Sequence, residues 1–187
     1  MHENLQTYRY TADAYAAFLN ALDETGLSDQ TVLIATGDHR ARNITVADQT
    51  EIALDHAVPL WLTVPKHIID TSKGIYDPDR IGSHKDILPT FLDLALADHR
   101  YLSYGGESLI RPSARPFGYN SDVMIFEEGA VSLSKPDALY LWQGNGLLTD
   151  ATPINNPHEQ FVRDYDTLWK QGINYFVGKG INFQTQN

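Results

Sequence analysis

The sequence predicts an α/β protein in two parts. In the first part an amphipathic helical stripe leads into a short apolar run, which is typical of a helix followed by a buried strand. In the second part, short segments of β-forming residues alternate with glycine-containing turns. We therefore assign residues 1–115 to an α/β sheet with flanking helices. Residues 116–187 are assigned to a small antiparallel β-sheet with a terminal helix.

The composition limits the classes of function. Hydrophobic residues make up 42% and charged residues 20% of the chain, which favours a folded globular protein over a disordered one. The formal net charge of -10 argues against a nucleic-acid partner, because it repels phosphate backbones. The absence of cysteine excludes disulfides, thiolate metal ligands and cysteine catalysis. With no long apolar run and no signal-peptide pattern, the chain as given is expected to be soluble.

A helix and a strand are predicted first. Between Thr11 and Thr25, apolar residues recur at helical spacing and Gly26 is a natural stop. The stripe consists of Ala14, Tyr15, Phe18, Leu19 and Leu22. The run from Thr31 to Thr36 then suits a strand buried on both faces.

A polar segment connects this strand to a second one. Residues Gly37 to His56 are polar and irregular, and they begin where open α/β sheets hold their ligands. Val58 to Val64 is a second apolar run, with Pro59 near its start, where a missing amide proton is tolerated. We expect the two strands to be parallel and near each other in one sheet, with the polar segment as the functional loop.

A further helix is predicted to begin near Ser83. Ser83 precedes Asp86 by three residues, a spacing typical of a capping box, and Pro89 is tolerable only in the first turns. The apolar side of this helix consists of Ile87, Leu88, Phe91, Leu92, Leu94 and Ala95.

The C-terminal part is predicted to be a set of antiparallel hairpins and a helix. The predicted strands are Asp122 to Glu127, Ala130 to Leu133 and Ala138 to Gln143. Turn residues separate these strands, so each is expected to pair with the next one along the chain. The resulting antiparallel sheet is expected to be separate from the sheet that contains the strand before Asp38. Residues His158 to Val177 carry an aromatic and aliphatic stripe at helical spacing, which is expected to be core.

The pair Asp38 and His39 is the strongest chemical signal. It follows Thr36-Gly37 at the end of a predicted strand, which would hold both side chains rigidly. A carboxylate oxygen beside an imidazole nitrogen suits Zn²⁺ or Mn²⁺. The alternative is a turn aspartate beside a surface histidine, because such dipeptides are frequent by accident.

Two histidines and two arginines are further candidates for binding an anionic substrate. His84 stands at the start of a predicted helix, where amide groups and the helix dipole favour anions. Arg40, with Arg42, could bind an oxyanion bidentately, and His56 precedes the second strand at the same crevice. The alternatives are a solvated capping histidine and surface arginines. The histidines without a predicted partner, expected at the surface, are His67, His99 and His158.

Two other kinds of site are not favoured. Gly82-Ser83-His84 lacks the following glycine of a hydrolase nucleophile elbow. The chain also has no glycine-rich phosphate loop of the nucleotide-binding kinds.

Five short motifs follow one another between residues 8 and 110. They are Tyr10-Thr11-Ala12-Asp13, Gly26-Leu27-Ser28-Asp29-Gln30-Thr31-Val32, Thr36-Gly37-Asp38-His39, Val58-Pro59-Leu60-Trp61 and Asp86-Ile87-Leu88-Pro89-Thr90-Phe91-Leu92. In this order they resemble the C-terminal half of the sulfatase family, in the alkaline-phosphatase superfamily. The spacing is most similar to the lipoteichoic-acid-synthase or phosphoglycerol-transferase branch. Gly106-Glu107-Ser108-Leu109 is similar to a small element that follows the helix in that family.

This resemblance implies part of an alkaline-phosphatase-like sheet and a metal-dependent chemistry. Asp38 and His39 would be ligands of a divalent metal (Mn, Zn, Mg or Ca), and His84 would lie in the active-site crevice. The hydroxyl nucleophile and an acidic ligand would come from an N-terminal half that nothing here matches. The chain is therefore expected to be truncated and inactive alone.

The resemblance also implies a substrate class and a location. The parent enzyme would be a phosphoglycerol transferase or sulfatase-like enzyme acting on phosphate or sulfate esters, including lipid-linked ones. It would be membrane-anchored and extracytoplasmic, on the periplasmic or cell-surface side of a bacterial membrane. The alternatives are a sulfatase or phosphodiesterase with the same ligands, or a non-catalytic accessory or binding domain.

Overall fold

The computed structural model shows a mixed α/β protein with two compact units. It describes residues 2–39, 48–98, 100–101, 103, 105–112, 116–144 and 146–183. Unit 1 consists of residues 1–46 and 55–115, and unit 2 of residues 47–54 and 116–187. The short segment 47–54 therefore belongs with the C-terminal part of the chain, although it lies between the two strands of unit 1.

Unit 1 contains several helices and a two-stranded sheet. Its elements are α1 (His2–Glu24), a 3-10 helix (Leu27–Gln30), β1 (Leu33–Thr36), β2 (Leu60–Thr63), α3 (Lys66–Thr71), a 3-10 helix (His84–Asp86) and α4 (Ile87–Ala95). The helix between the two strands, α2 (Ile52–His56), begins in unit 2 and ends in unit 1.

The first helix confirms the prediction from its apolar stripe and extends further towards the N-terminus. Gly26 follows its end with a φ of 70°, in the left-handed region that favours glycine. Of the predicted stripe, Tyr15, Leu19 and Leu22 are partly buried, whereas Phe18 is 49% exposed. Only part of the predicted apolar face of this helix is therefore buried by the residues that the structure describes.

The predicted parallel pairing of the first two strands is wrong, because β1 and β2 pair antiparallel. Thr36 at the end of β1 lies opposite Leu60 at the start of β2. A parallel pair requires a crossover, usually a helix packed on the sheet. The intervening α2 instead buries Ile52 against Val123 and Ala130 of unit 2. Among the described residues no crossover helix therefore covers this sheet.

The prediction that the first strand is buried on both faces is also wrong, and so is the burial expected of the second apolar run. Leu60 is 42% and Trp61 52% exposed, and the residues of β1 are at most partly buried. The indole of Trp61 lies 5.9 Å from the ring of Tyr15, which is how α1 contacts β2. With only two strands in the described part of unit 1, the sheet is too small to enclose its own apolar side chains.

The polar segment from Gly37 to His56 is not wholly irregular. A 3-10 helix (Gln49–Glu51) leads into α2, and Asp48 caps it by accepting a 2.7 Å hydrogen bond from the amide of Thr50. Hydrogen bonds from Thr50 hold the pKa of Asp48 below its usual value. Ile52 and Ala53 are buried, so this segment gains its structure from packing in unit 2.

The predicted start of α4 at a capping box is confirmed. The Asp86 carboxylate accepts hydrogen bonds from the amide and the hydroxyl of Ser83, at 2.7 and 3.0 Å. Pro89 is the third residue of α4, in the first turn where proline is tolerated.

Unit 2 is a six-stranded antiparallel sheet with a long helix. Its elements are β3 (Phe117–Tyr119), β4 (Val123–Phe126), β5 (Gly129–Ser132), β6 (Ala138–Gln143), β7 (Leu148–Thr149), β8 (Ile154–Asn155) and α5 (Glu159–Phe183). The strands from β3 to β7 follow one another in chain order across the sheet, and β8 pairs with β6. The three predicted hairpin strands and their separation from β1 are confirmed.

The core of unit 2 is aromatic. Phe117 of β3 lies edge-on to Phe161 and Tyr165 of α5, with ring centroids 5.2 and 5.1 Å apart. Met124 and Val131 beneath them are fully buried. The stripe predicted on the last helix is core only in part, because Tyr165 and Trp169 pack against this cluster, whereas Leu168 is 67% and Phe161 43% exposed.

Candidate functional site

Asp38 and His39 form a close pair in the turn that follows β1. The Oδ1 atom of Asp38 accepts a 2.9 Å hydrogen bond from the amide of His39. This bond leaves Oδ2 facing the imidazole, and Oδ2 lies 3.4 Å from Nε2 of His39. The two side chains are 88% and 52% exposed. Their donor atoms thus converge on one point that solvent can reach.

The spacing of these donor atoms fits one metal ion. First-row metals hold oxygen and nitrogen donors at about 2.1 Å, which places two donors of a tetrahedral site about 3.4 Å apart. The separation of Asp38 Oδ2 and His39 Nε2 is 3.4 Å. Within the described ranges, however, no group of three or more histidine, aspartate or glutamate side chains is placed to hold an ion. Asp38 and His39 would supply two ligands of such a site, and a complete site would need at least one more.

His84 contacts the same turn. Its Nε2 atom lies 2.6 Å from the carbonyl oxygen of Gly37, the residue before Asp38. Because a carbonyl oxygen only accepts hydrogen bonds, Nε2 of His84 must carry the proton and donate it. In the neutral ring, Nδ1 then keeps its lone pair. The structure therefore places His84 beside the predicted pair, where it contacts the backbone of Gly37 and not the side chains of Asp38 and His39.

The turn that carries His84 is anchored in the interior of unit 1. Asp86 is 2% exposed, and its Oδ1 atom accepts a 2.9 Å hydrogen bond from the amide of Glu107. The hydroxyl of Thr90 donates to the Asp86 carbonyl at 2.6 Å and accepts from the amide of Leu109 at 2.9 Å. These bonds tie residues 107–109 to the start of α4, so the backbone at His84 is well constrained.

His56 lies on the chain segment that approaches the same turn. The antiparallel pairing places the start of β2, not its end, beside the end of β1. The Pro59 carbonyl accepts hydrogen bonds from the Gly37 amide at 3.4 Å and from the Thr36 hydroxyl at 2.9 Å. His56 ends α2 three residues earlier, with Nε2 at 3.7 Å from Oδ2 of the buried Asp55. The two-stranded pairing thus brings the segment of His56 towards Asp38.

Arg40, the remaining substrate-binding candidate, lies outside the described residues together with Arg42. Their predicted role in binding an oxyanion stays a prediction. His99, expected at the surface, also lies outside the described residues.

Two buried carboxylates of unit 1 and one ion pair of unit 2 were not predicted from the sequence. Asp55 is 4% exposed, although its sequence context resembles that of any helix-terminal aspartate. Asp86 was signalled only by its spacing from Ser83. His158, expected at the surface without a partner, pairs with the carboxylate of Glu128 in unit 2. Pairing across 30 residues leaves no local pattern in a sequence.

Comparisons with known proteins identify no relative. No family model matches the chain, and neither a curated protein nor a solved structure matches it. The alkaline-phosphatase-like arrangement and the sulfatase relationship therefore stand as proposals that rest on the motifs. In the described part of the chain, no helix combines the length and the apolar character that crossing a membrane requires.

Proposed function

We propose that this chain is the C-terminal portion of a metal-dependent enzyme that acts on phosphate or sulfate esters, similar to phosphoglycerol transferases and sulfatases. The observation that carries the proposal is the 3.4 Å approach of Asp38 Oδ2 to His39 Nε2 in the turn after β1. Together these atoms would hold one divalent ion, Mn, Zn, Mg or Ca. The further ligands and a hydroxyl nucleophile would come from a segment outside this sequence.

When bound, a divalent ion would lower the pKa of a coordinated hydroxyl and neutralise charge on the ester oxygens. The residues of this chain have simpler tasks. In this proposal Asp38 and His39 would fix the ion at the end of β1, and His56 and Arg40 would bind the anionic ester. The nucleophilic hydroxyl would lose its proton as its oxygen attacks the ester, and the leaving alkoxide would take up a proton and depart as the alcohol. The covalent ester would then transfer its phosphoryl or sulfuryl group to water or to an acceptor alcohol, which regenerates the hydroxyl.

The resemblance adds the finer parts of the proposal. A phosphoglycerol transferase would take a lipid-linked phosphate ester, and its parent protein would be membrane-anchored and act on the extracytoplasmic side. A sulfatase or a phosphodiesterase could use the same two ligands. Sequence upstream of Met1 separates these alternatives, since a nucleophile motif preceded by membrane spans favours the transferase.

A second candidate function is an accessory or binding domain without chemistry. It is favoured by the exposure of the two ligands, 88% for Asp38 and 52% for His39. In this alternative the pair would be an ordinary solvated ion pair. Upstream sequence without a nucleophile motif would favour it.

Metal titration of the full chain tests the ligand assignment. Mn²⁺ should broaden the NMR signals of the His39 ring before those of other histidines, because the ion is paramagnetic and close. Asp38→Ala should weaken this binding at least about tenfold, since it removes one of two ligands. Asp29→Ala, an exposed aspartate in the preceding 3-10 helix, is the matched control. Equal Mn²⁺ affinity in Asp38→Ala and the unmodified chain would contradict the assignment.

A further inference from the structure

Within the part of the chain that the structure describes, the side chain of His84 contacts the turn between β1 and the candidate metal ligands from outside the two strands. Gly37 connects Thr36, the last residue of β1, to Asp38. Its amide faces the Pro59 carbonyl at 3.4 Å, a long contact at the limit for a hydrogen bond. Its carbonyl accepts from Nε2 of His84 at 2.6 Å and from the neighbouring Thr36 hydroxyl at 3.2 Å. Of these three contacts, the one from His84 is the shortest, and it is the one that ties the peptide before Asp38 to a distant part of unit 1.

We propose that His84 is a positioning residue, which orients the Asp38–His39 pair by donating a hydrogen bond to the Gly37 carbonyl. This inference rests on the proposed function, because it assigns His84 a task in the same metal site. It differs from a ligand or substrate contact, since His84 would act through the backbone and not touch the ion. The peptide plane of Gly37 and Asp38 includes the Asp38 nitrogen, so fixing its carbonyl also fixes the direction in which Asp38 leaves the strand.

His84 can perform this task because its own backbone is anchored. It begins the 3-10 helix that Asp86 closes, and the Asp86 carboxylate accepts from both the amide and the hydroxyl of Ser83. The same carboxylate accepts from the Glu107 amide. Asp86 is 2% exposed, so water competes little for these bonds. Because its backbone is fixed in this way, the exposed imidazole of His84 can hold the Gly37 carbonyl, 47 residues away in the sequence, in one position.

The restraint is also independent of the protonation state of Nδ1. An Nε2–H group donates to a carbonyl oxygen both in the neutral tautomer that this contact requires and in the imidazolium form. Removal of the ring removes the bond, whereas a glutamine in its place keeps an N–H donor at a similar reach. This difference separates a positioning role from direct ligation by Nδ1, which glutamine would not reproduce for a metal that prefers imidazole nitrogen.

The test compares His84→Ala, His84→Gln and the control His67→Gln, an exposed histidine on α3, in the full chain. Titration with Mn²⁺ alone should give at least tenfold weaker binding for His84→Ala, and binding within about threefold of the unmodified chain for the two glutamine variants. Binding unchanged in His84→Ala would overturn the proposal. Equal loss in His84→Ala and His84→Gln would also overturn it, in favour of direct ligation.

A metal-free measurement keeps the inference separate from the proposed function. Without metal, the amide protons of Asp38 and His39 should exchange with solvent at least about tenfold faster in His84→Ala, and at the original rate in His84→Gln. If the unmodified chain binds no Mn²⁺, the proposed function fails, and the exchange rates alone decide whether His84 orders the turn. Exchange rates that are the same in all variants would overturn the positioning role while leaving the metal assignment intact.

Discussion

The phenol of Tyr119 donates a 2.7 Å hydrogen bond to Oδ1 of Asp166 and thereby joins β3 to α5. Burial, together with this bond, raises the pKa of Tyr119 far above its usual value. Burial would also raise the pKa of Asp166, but hydrogen bonds from Lys170, at 2.5 Å, and from Tyr119 outweigh it and lower that pKa. The two residues therefore stabilise unit 2 at neutral pH through opposite shifts.

Replacement of Tyr119 by phenylalanine should lower the free energy of unfolding by about 1 to 2 kcal/mol at pH 7, because a hydrogen bond to a charged acceptor is lost. Unfolded tyrosines lose their phenol proton at about pH 10, whereas Tyr119 in the folded protein keeps its proton at higher pH because its pKa is raised. The stability from Tyr119 is thus present below pH 10 and is lost as the pH rises further. Urea unfolding at pH 7, 10 and 11 measures both effects.

The Tyr119→Phe variant should accordingly lose less stability than the unmodified protein between pH 10 and 11. Tyr10→Phe is the matched control, since Tyr10 is 75% exposed and should not change the stability at pH 7. An identical alkaline loss in Tyr119→Phe and the unmodified protein would contradict the assignment of the shift to Tyr119.

The pair of His158 and Glu128 predicts an acid-sensitive contact in unit 2. The imidazole stacks on Phe126, with ring centroids 4.6 Å apart, and its hydrogen bond lowers the pKa of Glu128 against the opposing effect of burial. The contribution of Glu128 is therefore present above about pH 4.3, the ordinary glutamate value, and is lost as the pH falls below it.

Glu128→Gln should destabilise unit 2 by up to about 1 kcal/mol at pH 6, because both partners are partly exposed and water screens their attraction. It should also flatten the pH dependence of the unfolding midpoint between pH 5 and 3. The neighbouring Glu127→Gln is the control, with an exposed side chain. If Glu127→Gln flattened the profile as much as Glu128→Gln, the effect would be one of net charge.

Gly106 should not tolerate a side chain. A Cβ atom at this position would overlap the carbonyl oxygen of Lys85, in the turn that carries His84. Overpacking against backbone of this kind costs about 1 to 3 kcal/mol. Gly106→Ala should therefore lower the urea midpoint of unit 1, whereas Glu107→Ala, at the exposed neighbouring position, should leave it unchanged. A Gly106→Ala protein as stable as the original would show that the close approach is not required.

The chain alone should show no appreciable turnover, because two metal ligands without a nucleophile leave the catalytic group incomplete. The assay uses nitrophenyl phosphate, a nitrophenyl phosphodiester and nitrophenyl sulfate, each with added Mn²⁺ or Zn²⁺. Robust turnover that Asp38→Ala abolishes would show that the chain carries its own nucleophile, and would refute the expectation of a missing half.

Local patterns predicted much of the fold. The start of α4 followed from the spacing of Ser83 and Asp86, and the hairpins of unit 2 from turn residues between β-forming segments, because each depends on residues close in sequence. The direction of β2 relative to β1 did not follow. It depends on where the intervening helix packs, and Ile52 packs in unit 2, which periodicity cannot reveal.

In the candidate site, too, the features that depend on neighbouring residues were predictable and the contacts between distant residues were not. Asp38 and His39 were recognisable because they are adjacent and follow a strand. The contact between His84 and the Gly37 carbonyl was not, since it joins residues 47 positions apart and involves a backbone atom that has no sequence signature. The expectation that His84 faces the turn came from the family resemblance and not from the pattern of its own segment.

The assignment of residues 47–54 to unit 2 has a consequence for fragment design. A fragment that begins at Pro116 would lack Ile52, which packs against Val123 and Ala130, and would also lack the contact of residues 49–51 with β7. Such a fragment would expose that apolar surface and aggregate more readily. A synthetic peptide of residues 47–54, added in trans, would then act as a ligand for the fragment and restore its solubility.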